Sequence, residues 1–179
     1  YDTTPLRQTL ENMVDFDRIN SGAVRLSVGA VNVRSGNFEY FDSARQKLDA
    51  RHIMASGALP PGFAPVEIDG EHYWDGGYMG NPVLYPLFYQ TDTRDVVVVM
   101  VNQIRRENVP TTPVEIADRV DEISFNSSLM REMRAVEFVS RQLTEGWLKP
   151  EYARRMRKVL VHLIRADAVM GTLPAATKI

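Results

Sequence analysis

The sequence contains no cysteine, which excludes disulfides, thiolate metal sites and a cysteine nucleophile. It also lacks any apolar run near the roughly 20 residues of a membrane-spanning helix, the longest stretch being Val96 to Val101. Positive charge is not in excess: 21 Lys and Arg against 23 Asp and Glu leave a formal net charge of -2. No global basic field gathers nucleic acid, and no nucleic-acid partner is expected. Histidine is scarce, and His52, His72 and His162 have neither triad nor metal-ligand spacing, so each reads as structural and no metal is expected. No phosphate loop occurs, and Gly76-Gly77-Tyr78-Met79-Gly80 fails as a dinucleotide fingerprint because Asp75 stands where its first glycine belongs. No cofactor is expected. What remains is 179 residues, 44% hydrophobic and 25% charged, the make-up of a globular domain with a sizeable core.

Local patterns outline the elements. Thr4 with Pro5 predicts a helix start, with Leu6, Leu10 and Met13 on one face. Residues 23–33 read as a largely buried strand, turned by Ser35-Gly36-Asn37 into a partner strand from Phe38 to Phe41. His52 to Leu59 reads as a short buried helix stopped by Pro60-Pro61. Asp69-Gly70 predicts a type I′ hairpin joining Val66-Glu67-Ile68 to Glu71-His72-Tyr73-Trp74. Asn81-Pro82 then predicts a helix from Val83 to Tyr89, and Asp95 to Val101 a central strand covered on both faces. Thr112-Pro113-Val114-Glu115 is a capping box opening a long helix through Ile116, Val120, Ile123, Met130 and Met133. Pro150 predicts a last helix with Tyr152, Met156, Val159 and Leu163 on one face, and residues 171–179 read as frayed. A layered α/β fold follows.

One site has more than generic chemical content. The second strand of the Asp69-Gly70 hairpin delivers Asp75 into Gly76 and Gly77, where the chain can turn sharply and leave a carboxylate facing open space. On residue types alone Asp75 reads first as a turn former like Asp69, and only second as a functional carboxylate. Arg154, Arg155, Arg157 and Lys158 form a basic cluster that reads first as a solvated helix face and second as a contact for anionic lipid headgroups.

The stretch from Ala55 to Gly77 resembles the second half of patatin-like phospholipases. It carries their Ala55-Ser56-Gly57-Ala58-Leu59-Pro60 block, the Phe63-Ala64-Pro65 step, the Asp69-Gly70 hairpin and Asp75-Gly76-Gly77, with Asn81-Pro82 completing the pattern. The resemblance extends over about Tyr1 to Gln103, and the C-terminal helices resemble an extension of bacterial members of the family. It divides the chain into residues 1–110, the C-terminal part of a catalytic domain, and residues 111–179, a helical extension.

The resemblance implies a lipid acyl hydrolase with a Ser-Asp dyad, in which Asp75 takes the proton of a serine on a G-x-S-x-G elbow. It implies a lipid or acyl-ester substrate, peripheral membrane contact and an otherwise cytoplasmic location. The elbow itself is missing: none of Ser21, Ser27, Ser35, Ser43, Ser56, Ser124, Ser127, Ser128 or Ser140 sits in that motif, and Arg25 takes the first glycine position before Ser27-Val28-Gly29. The glycine-rich oxyanion loop is missing too. With Tyr1 reading as the middle of a folded unit, the expectation is an incomplete fold: the N-terminal half with the nucleophile lies outside the chain, which is inactive alone. The alternative is a non-catalytic binding or scaffold module that keeps the fold.

Overall fold

The computed structural model describes residues 1–165, and the expected fraying of residues 171–179 lies outside them. The chain mixes helices and strands in two compact units, Tyr1–Val83 and Leu84–Ile179.

The first unit opens with α1 (Thr4–Met13) and α2 (Phe16–Asn20). Thr4 is not the cap of α1, as expected, but its first residue: Thr3 precedes it without a side-chain bond, and the Asp2 carboxylate accepts from the Thr4 amide instead. Strand β1 (Ser27–Asn32) starts later than its hydrophobic pattern suggests, because residues 25 and 26 are held by other groups. Arg25 pairs with the buried Asp42, and the Leu26 amide donates to Ser43 Oγ. Strand β2 (Phe38–Asp42) returns antiparallel, the turn being drawn in by Asn32 Oδ1, which accepts from the amides of Arg34 and Ser35.

Helix α3 (Ala50–Ser56) begins two residues before the expected start. Asp49 caps it by accepting from the Arg51 amide at 2.9 Å, while His52 Nδ1 accepts from the Asp49 amide at 3.0 Å. This is a capping box with histidine in the usual place of glutamate, hence silent to the usual pattern. Strands β3 (Val66–Ile68) and β4 (Glu71–Asp75) form the expected hairpin, with Asp69 and Gly70 at φ +52° and +82°, the pair of positive values a type I′ turn requires. The strands order as β2-β1-β4-β3. Their inner face buries Ala30, Phe41, Leu48, Ala55, Ile68 and Tyr73, with Phe41 edge-on to both Tyr73 and His52.

The second unit contains α4 (Tyr85–Tyr89), β5 (Asp95–Met100), α5 (Pro113–Thr144), α6 (Pro150–Ala153) and β6 (Leu160–Arg165). Pro86, not Pro82, occupies the first turn of α4, which is therefore shorter than expected. Strand β5 is covered on one face only: Val96, Val98 and Met100 are buried, whereas Val97 and Val99 are more than half exposed. A run of valines satisfies both readings, since β-branched side chains favour a strand whichever face is covered.

Helix α5 starts where the capping box places it, with Thr112 Oγ1 accepting from the Glu115 amide and the Glu115 carboxylate from the Thr112 amide. Its buried side differs from the apolar stripe read from the sequence. Ile116, Val120 and Ile123 are exposed, while Glu122, Phe125, Asn126 and Leu129 are buried. Glu122 is fully buried because Arg106 and Arg119 both bind its carboxylate, at 2.9 and 3.1 Å.

The expected last helix is corrected to one turn, α6, followed by β6, which pairs parallel to β5 in the register Val96↔Val161 and Val98↔Leu163. Met156, Val159 and Leu163 have helical spacing, but Val159 and Val161 reach the core cluster of Leu84, Phe88, Val96, Val98 and Leu129 through strand alternation. The α5–α6 segment supplies the crossover that a parallel pair needs.

Candidate functional site

Asp75 ends β4, directly opposite Ala30 of β1, in the interior of the four-stranded sheet. Its amide donates to Ala58 O at 3.1 Å, which ties the strand end to the segment leaving α3. The next residues do not use the left-handed backbone freedom of glycine. Gly76–Tyr78 form one 3₁₀ turn, capped by Asp75, whose Oδ1 accepts from the Gly77 amide at 2.7 Å.

The requirement for glycine at 76 is steric. A Cβ there would overlap the carbonyl of Gly29 and stand 3.0 Å from the Ala30 amide nitrogen, so the turn rests backbone to backbone on β1. Gly29 is crowded as well, but by side chains: a Cβ there would overlap the Phe38 ring and meet Val83 Cγ2 at 2.7 Å. Gly77 contributes its amide to the Asp75 carboxylate.

The Asp75 residue is 6% exposed. Burial pushes its carboxyl above the ordinary aspartate range, and the Gly77 amide offsets only part of that. No basic side chain pairs with it among the described residues. A desolvated carboxylate without a counter-ion is a stronger proton acceptor than one in water, which suits it to general-base work.

The same arrangement costs stability, because the ionised form is the one that burial penalises. The folded state holds the Asp75 proton more tightly than the unfolded state, so the wild type loses this contribution as pH rises from the ordinary carboxylate value, about 3.9, through the raised one. Asp75→Asn removes the penalty and keeps an oxygen for the Gly77 amide. At pH 7 it is expected to unfold at higher urea than the wild type by about 1 kcal/mol, with the gap closing near pH 3. An equal or lower midpoint at pH 7 would show that the carboxylate is solvated or paired.

The structure brings Gly76 and Gly77 together with Asp75 but brings no serine to it among the described residues. Ser27, the nearest approach to the elbow motif, lies on β1 three residues before the partner of Asp75, about 10 Å along the strand. Ser56 Oγ donates back to Ile53 O within α3. The histidines are elsewhere: His52 caps α3, and His162 Nε2 lies 2.8 Å from Asp95. Among the described residues no three His, Asp or Glu side chains cluster as a metal site, and no helix is long and apolar enough to cross a membrane.

A cavity of about 720 Å³ is lined wholly by residues of the second unit, and Asp75 is not among them. The sequence reading missed that cavity. Its basic residues were visible as the Arg154–Lys158 cluster, but Arg94 lies far from them in sequence.

No curated protein matches the chain. Residues 1–88 match the family model of patatin-like phospholipase, a segment that holds the whole Asp75 turn and both hairpins. Residues 1–88 of this chain are therefore similar to the patatin-like phospholipases, a family of lipid acyl hydrolases.

Proposed function

We propose that the protein is a serine-dependent lipid acyl hydrolase to which this chain contributes Asp75 as the general base of a Ser-Asp dyad, the serine lying outside residues 1–179. The observation that carries the reading is the buried carboxylate at the end of β4, raised in pKa by burial, unpaired with any cation among the described residues and fixed by the Gly77 amide. An acyl ester would be attacked by the serine oxygen as its proton passes to Asp75, and the proton would then leave with the alcohol. Residues 1–110 would form the end of the catalytic domain and residues 111–179 an extension, with the protein cytoplasmic or held at a membrane surface.

A fluorophosphonate ester tests this on the native full-length protein. It is expected to stop hydrolysis of p-nitrophenyl butyrate and to leave one adduct, which peptide mass mapping places upstream of Tyr1. An adduct on any serine of this chain overturns the dyad, and a protein that neither hydrolyses the ester nor reacts supports a non-catalytic scaffold instead.

A further inference from the structure

A cavity of the second unit is lined by both cationic and apolar residues. Arg94, Arg154, Arg155 and Arg157 line it against a single carboxylate, Asp92. Arg94, Arg154 and Arg155 are exposed, and no carboxylate pairs with their side chains among the described residues. Arg157 is anchored differently: its side chain is 24% exposed, one guanidinium nitrogen donates to Phe88 O at 2.9 Å, and another lies 3.5 Å from the fully exposed Asp92. Its Nε is buried without a partner. Four arginines around one space, with one weak counter-charge, leave an unneutralised positive site.

Part of the lining is apolar. Val136 and Val139 of α5 and Phe88 of α4 face the same space as Met156 and Val159. A simple inorganic anion would leave those apolar groups wet, and a neutral hydrocarbon would leave the arginines unpaired. The volume, about 720 Å³, is in the range of sites for small molecules.

We infer that this cavity is a binding site for a phosphate monoester carried on a short apolar chain, the phosphate held by Arg94, Arg154, Arg155 and Arg157 and the chain laid against Phe88, Val136 and Val139. Guanidinium groups suit the phosphate because their paired N–H donors match its oxygens. The ligand is held, not turned over, so the site stands whether or not Asp75 acts as a base.

Isothermal titration of the native full-length protein with octyl phosphate, inorganic phosphate and octyl glucoside separates the sources of binding. Octyl phosphate is expected to bind saturably, inorganic phosphate at least about tenfold more weakly, and octyl glucoside without saturation. The double variant Arg154→Gln/Arg155→Gln alters only exposed side chains, so it should keep the wild-type thermal midpoint while weakening octyl phosphate by about tenfold or more. Raising the salt concentration should weaken wild-type binding more than that of the double variant. Equal affinity for inorganic and octyl phosphate overturns the apolar half of the site. Equal affinity for octyl glucoside, or a double variant that binds like the wild type, overturns the cationic half.

Discussion

Asp75→Asn, introduced into the native protein with its upstream sequence, is expected to lower kcat for p-nitrophenyl butyrate by about 10² to 10⁴ with little change in KM, the range typical for loss of a general base. The amide has the shape of the carboxylate and keeps an oxygen on the Gly77 amide, now 2.7 Å from Oδ1. It cannot take a proton from a serine hydroxyl. Because the substitution also relieves the burial of a charge, the variant should be at least as stable as the wild type at neutral pH. Lost activity together with unchanged or higher stability cannot be ascribed to unfolding, and steady-state kinetics beside urea denaturation reads both. Wild-type turnover in this variant would remove Asp75 from the mechanism.

How far the fold was legible depended on whether the deciding interaction was local. The Asp69-Gly70 turn and the Thr112–Glu115 box each fix their geometry within four residues, and both stand where the sequence places them. Three other features depend on residues distant in sequence. Glu122 reads as a surface residue until Arg106, from outside the helix, is seen to join Arg119 on its carboxylate. The 156–163 segment has helical spacing until the Arg94 carbonyl accepts from the Leu160 amide and draws the chain alongside β5. A valine run such as 96–99 cannot tell which of its faces is covered.

The site divides in the same way. Asp75 and its hairpin are set by local turn chemistry, so its position at the strand end could be read. Its neighbours are β1 and the segment after α3, neither of which the turn encodes. The sequence reading also took Gly76 for a residue that frees the backbone, whereas the structure makes it a residue that lets two backbones touch.

That difference yields a large expected effect. Gly76→Val should lower the unfolding free energy of the chain by about 3 kcal/mol or more, because the atoms its side chain would strike belong to the Gly29 and Ala30 backbone and not to a flexible side chain that could yield. Relief would require β1 to move off β4, which would break the Ala30↔Asp75 pairing that holds the carboxylate. Gly57→Ala is the control: a Cβ at Gly57 has no heavy atom within 4 Å, and its φ of -120° suits any residue. That change should stay within about 0.5 kcal/mol of the wild type. Urea midpoints at constant slope measure both. If Gly76→Val unfolds at the same urea concentration as Gly57→Ala, the turn does not rest on β1, and the geometry that fixes Asp75 must come from the Gly77 amide and the Ala58 carbonyl alone.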